Sequence, residues 1–152
     1  MYWTIGGIRA DSLQGEAPEL NPGAEPTMSF AFRRSAAATD YNTRANNVRD
    51  IALSSDEAEY GISEFNRKPW FREKLRSGAP ASNIVVQISP SDESAAEVPA
   101  FWALVTGYTD ATVRPGIRRV LDLDLFVIAF VDDYPARSDL EDAFSDTLTG
   151  GS

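Results

Sequence analysis

The sequence predicts an α+β fold: one domain over residues 1–152, with a mostly antiparallel sheet of about five strands, two or three helices in the middle and one C-terminal helix. Three observations lead there. Strand patterning recurs in five stretches, and the helical patterns cluster between the second and third or follow the fifth, giving the order ββααβββα. Residues 117–131 begin with Leu121, Leu123 and Leu125 alternating with Asp122 and Asp124, then turn apolar at every position, as a strand does when it passes from half-solvated to buried on both faces. The 152 residues, 43% hydrophobic and 24% charged, have the size and composition of one ordinary globular domain.

Residues 2–9 read as the first strand, interrupted at Gly6-Gly7 by a bulge or a close backbone approach. Residues 11–26 hold Pro18, Pro22 and Pro26 and form a Pro/Gly-rich loop or an arm reaching to a neighbour. Residues 27–34 alternate cleanly, with Met28, Phe30 and Phe32 on one face. Asp40 or Asn42 then caps a helix through about Leu53 that buries Ala45, Val48, Ile51 and Ala52. A capping box at 54–57 opens a second helix, and Pro69 starts a short third one.

Strands return at 84–89 and 101–109, joined by an acidic, proline-bounded loop. The strand at 117–131 is the candidate for the centre of the sheet. Ser138 with Glu141 forms a capping box for the last helix, whose face is Leu140, Ala143, Phe144 and Leu148.

Histidine and cysteine are both absent, which removes thiolate and imidazole chemistry, Ser-His-Asp triads, Cys/His metal sites and disulfides. The net charge of −9 disfavours nucleic-acid binding by counterion release. That charge is uneven: from residue 121 onward eight acids face Arg137 alone, whereas residues 30–78 hold nine bases and seven acids. The longest apolar run, residues 125–131, is too short to span a bilayer, and the first residues lack the pattern of a signal peptide. The expectation is a virion or cytoplasmic protein with no membrane partner.

Several groupings qualify as candidate sites. Asp122 and Asp124 share one strand face and could hold a divalent metal or work as acid and base, although a solvated strand face has the same pattern. Asp132-Asp133 closes the buried strand as an acidic turn. Residues 67–72 interleave bases with Trp70 and Phe71, a pattern that could stack on single-stranded nucleic acid but in a −9 chain better suits an inward-packed helix junction or a partner contact. Arg33-Arg34 and Arg118-Arg119 sit at strand ends and are suited to pairing with acidic surface of the same or another subunit. No P-loop, GxSxG or dinucleotide fingerprint occurs, and no cofactor is called for.

In element order, size, proline-rich N-terminal segment and lack of catalytic vocabulary, the chain resembles small tailed-phage virion proteins of the tail-completion, neck or head-decoration type. It departs from tail terminators in opening with strands rather than a helix. The resemblance implies a non-enzymatic structural subunit whose partners are copies of itself and neighbouring structural proteins, without sequence-specific nucleic-acid contacts. The interface candidates are Pro18, Pro22, Pro26, Arg33, Arg34, Trp70, Arg118, Arg119, Asp122 and Asp124. Two alternatives stand beside this expectation: an acidic module docking on a basic partner, and a metal-dependent hydrolase using Asp122 and Asp124.

Overall fold

A computed structural model describes residues 1–35, 39–52, 85–113, 116–136 and 138–140. The second and third middle helices, Trp70 with its basic neighbours, and the last helix beyond Leu140 lie outside the described residues. The class is α+β as expected, but the sheet has seven strands rather than five. In chain order these are β1 (Trp3–Ile5), β2 (Ile8–Ala10), β3 (Ser12–Gln14), β4 (Thr27–Arg33), β5 (Val85–Pro90), β6 (Phe101–Asp110) and β7 (Arg118–Phe130). Helix α1 is Tyr41–Ala52, and the short α2 is Glu93–Ala96. The strands lie in the order β2-β1-β5-β6-β7-β4-β3, and every described pairing is antiparallel.

Both additional strands come from the N-terminal stretch. Gly6 and Gly7 have φ of +58° and +82°, the two positive values that a tight hairpin turn needs, so residues 2–9 fold back on themselves as β1 and β2. The glycines are a turn rather than a bulge. A Cβ on Gly6 would also come within 3.1 Å of Val86 Cγ1. Three residues of the proline-rich segment then form β3, which pairs with β4.

The sheet order places β2 and β3 at opposite edges, yet only Asp11 separates them in sequence. A bent strand therefore joins the two edges, and the sheet curls round into a small barrel. Ile8, Ala10 and Leu13 face its interior, so the inward phase shifts by one at the Asp11 bend. Asp11 holds this seam through both its backbone and its carboxylate. Its N–H donates to Ala31 O (2.9 Å), and its Oδ2 accepts from Arg33 N–H (2.7 Å) and from both terminal nitrogens of Arg44 on α1 (3.3 Å each). Arg44 also donates to Arg9 O at 2.7 Å, which binds α1 to β2.

The barrel is filled by side chains. Trp3, Ile5, Met28, Phe30, Phe32, Ile88, Phe101, Leu121, Leu123 and Val127 are all buried within it, with Trp3 edge-on to Phe30 at 5.9 Å between ring centres. Helix α1 plugs one end with Tyr41, Ala45 and Val48, which lie at the i, i+4, i+7 spacing of one helical face. Tyr41 belongs to this stripe although the sequence pattern begins at Ala45.

β7 is the longest strand and an interior one, but β6 occupies the middle of the order. Its wholly apolar second half faces two cores. Leu125 and Val127 point into the barrel, while Phe126, Ile128 and Ala129 join Val85, Trp102, Leu104 and Leu140 in a second cluster on the outer face. The β6–β7 register slips between Trp102 and Ala103, skipping Ile128, which lets both Ile128 and Ala129 pack outward and returns Phe130 to the inner core. The helical residues 138–140 begin above this cluster, with Ala136 N–H donating to Asp139 Oδ2 at 2.9 Å. Ser138 is thus already helical, where the sequence pattern makes it the cap.

Replacing Asp11 with Ala removes acceptors for the Arg33 amide and the Arg44 guanidinium. Charge-assisted hydrogen bonds of this kind contribute about 1.5–3 kcal/mol. Denaturant unfolding is expected to show a loss of that order for Asp11→Ala. Asp11→Asn, which still offers Arg33 N–H an acceptor, should lose less.

Candidate functional site

The ends of the barrel differ in shape and charge. At the end opposite α1 there is an open mouth of about 760 Å³. Its floor is Trp3, Leu13, Leu20, Val98 and Phe130, and its rim carries Glu16, Glu19 and Glu97 with no basic residue among the described lining. Residues 15–21 form one wall and lead to Leu20, which is buried in the barrel core. Pro18 stands in this wall.

The rest of the proline-rich segment runs along β7 above the end of β4. Gly23 N–H donates to Val127 O (2.8 Å), Val127 N–H to Ala24 O (2.9 Å), and Leu125 N–H to Pro26 O (3.0 Å). Pro26 has no N–H of its own to offer and serves here through its carbonyl. Pro22 is exposed at the Pro22-Gly23 turn.

α2 forms the facing wall, inside what the sequence pattern presents as an acidic loop. Asp92 caps it, its Oδ1 accepting from Ser94 N–H (3.0 Å) and Ala95 N–H (3.3 Å). Glu97 ends it in the left-handed conformation at φ +55°, on the rim of the mouth. An Asp followed by Glu-Ser-Ala-Ala is a readable helix start, but four residues are too few to show a period.

At the α1 end, β4 and β7 bring Arg33, Arg34 and Arg118 together around Ile117, which is 62% exposed, in a recess of about 380 Å³. Arg33 lies directly opposite Arg118, and Arg34 N–H donates to Ile117 O at 3.0 Å. Like charges directly across a strand pair are destabilising. None of the three arginines has a carboxylate partner among the described residues.

Arg119 is separated from this group because neighbouring strand residues point to opposite faces. It turns under α1, where it donates to Asn46 Oδ1 and, at 3.1 Å, to Asp110 Oδ2. The Thr112 hydroxyl and N–H, together with Arg119, hold the Asp110 carboxyl below its ordinary value of 3.8 against the opposing effect of burial.

Asp122 and Asp124 share the outer face, opposite Ser29 and Thr27 of β4. The Ser29 hydroxyl donates to Asp122 Oδ1 and the Thr27 hydroxyl to Asp124 Oδ1 at 2.8 Å. Across β6, a Cβ on Gly107 would lie 3.3 Å from Asp124 Oδ2. Among the described residues no group of three metal-ligating side chains forms, around these aspartates or elsewhere. Their carboxylates act here as acceptors for the neighbouring strand. Asp132 and Asp133 are exposed in the turn after β7.

Comparison with protein-family models, with curated proteins and with solved structures gives no match for this chain.

Two outcomes follow for the α1 end. Because the folded-state value of Asp110 is depressed, its ionised form contributes stability that is present above the ordinary carboxylate value and lost as pH falls through the lower folded value. Asp110→Asn should therefore flatten the acid limb of stability below about pH 4, read by urea unfolding across that range. Arg33→Glu turns a like-charge cross-strand pair into an opposite one and should stabilise the monomer by about 0.2–1 kcal/mol, measured by unfolding in dilute protein.

Proposed function

We propose that this chain is a non-enzymatic assembly subunit of a homo-oligomer, of the class that tailed-phage virions use as tail-completion, neck or head-decoration proteins. The observation that carries the reading is the arginine corner. A −9 chain keeps Arg33, Arg34 and Arg118 clustered around exposed Ile117 without a carboxylate partner among the described residues. Such an arrangement weakens an isolated subunit and gains a partner only when an acidic surface covers it. The closed sheet adds support, since a barrel offers little free strand edge and leaves its ends for contacts. The virion class rests on the likeness in size, proline-rich N-terminal segment and lack of catalytic motifs.

A second reading is favoured by the mouth, whose acidic rim and apolar floor also suit a basic segment of another protein. Native mass separates the two. The assembly reading expects an oligomer at about 0.1 M salt that dissociates towards about 1 M, as the screening length contracts from about 10 Å to about 3 Å. A monomer at both salt concentrations overturns it and leaves the acidic module in possession.

A further inference from the structure

We propose that successive copies dock end to end, the arginine corner of one subunit seating in the acid-rimmed mouth of the next. The inference rests on the assembly reading and names the contact that assembly would use. β7 carries both halves of it: Arg118, its first residue, lines the corner, and Phe130, its last, lines the mouth. Along a strand of that length the two lie about 40 Å apart, so no subunit can satisfy its own corner with its own mouth.

Charge selects the pairing. Corner against corner would set Arg33, Arg34 and Arg118 on their own copies, and mouth against mouth would set Glu16, Glu19 and Glu97 on theirs. Only corner against mouth opposes guanidinium groups to carboxylates, which arginine can hold through two parallel hydrogen bonds. The apolar parts match as well. Ile117 is 62% exposed between the arginines, whereas the mouth offers the half-buried side chains of Leu13, Ala96 and Phe130. The contact is heterologous, so each added copy presents a fresh corner or mouth, and the rotation per copy decides between ring and filament.

The test uses two folded variants of the whole chain. One reverses the corner (Arg33→Glu, Arg34→Glu, Arg118→Glu), and the other reverses the mouth (Glu16→Lys, Glu19→Lys, Glu97→Lys). Each alone should lose self-association by about tenfold or more in native mass titrations. An equimolar mixture should recover self-association, with the two variants alternating, because reversed corner meets reversed mouth and native meets native.

A wild-type oligomer that either reversal leaves intact overturns the docking mode while sparing the assembly reading. So does a mixture that stays monomeric although both variants show native circular dichroism. A monomeric wild type sinks the assembly reading itself. Should a triple reversal fail to fold, Ile117→Asp and Glu16→Arg carry the same test singly, each expected to weaken assembly.

Discussion

The structure depends on the closure at Asp11. An open seven-stranded sheet would leave β2 and β3 as short edges, each held by three residue pairs on one side only. Joining them through one bent residue makes each the continuation of the other, and the Asp11 carboxylate ties that bend to β4 and to α1 at once. Position and charge are both needed. The side chain must reach Arg33 N–H on one strand and the Arg44 guanidinium on a helix, which an apolar residue in the same place cannot do. Once the seam is closed, the inner face of every strand lies in a single core, and the plug helix has a fixed place at one end of it.

Closure also makes the two ends of the barrel the places where chemistry can differ. One end receives α1, with Arg44 on Asp11 and Arg119 between Asn46 and Asp110, so that the polar ties of the plug are largely satisfied within the chain. The arginines left outside those ties gather beside it. At the other end no helix enters. Residues 15–21 and α2 stand round an opening whose charged side chains, among the described residues, are all acidic. Among the described residues, three glutamates at one end of the barrel are thus set against three unpaired arginines at the other.

Much of this was legible locally. The alternation of Met28, Phe30 and Phe32 marked β4, the stripe of Ala45 and Val48 marked α1, and the leucines of β7 marked its inward face. What escaped depends on contacts between residues far apart in sequence. Three-residue strands have no period to read, so β3 looked like loop, and Gly6-Gly7 reads as a hairpin only when β1 and β2 are known to pair. The phase of β7 after Val127 could not be assigned, because an apolar run looks the same with or without the slip at Ile128. Of the site candidates, Arg33, Arg34 and Arg118 converge, whereas Arg119 points elsewhere by strand alternation, and Asp122 and Asp124 answer hydroxyls on β4 that the sequence gives no means of aligning with them. The mouth is invisible in the sequence, since its lining comes from four separate parts of the chain.

The pairing of β1 with β5 has a consequence for how such a chain reaches its fold. Trp3 lies opposite Pro90, and Tyr2 N–H reaches Ser91 across 89 residues of sequence. β1 thus has no neighbour other than its own hairpin partner until residues 88–90 are in place. Contacts of such long range require large loops to close first, which places chains of this kind among the slower folders. The β6–β7 hairpin, whose innermost pair is Asp110 and Leu121, has the shortest-range pairing of the long strands and is suited to form early, and the Asp11 bend, needing both distant edges in place, to lock last.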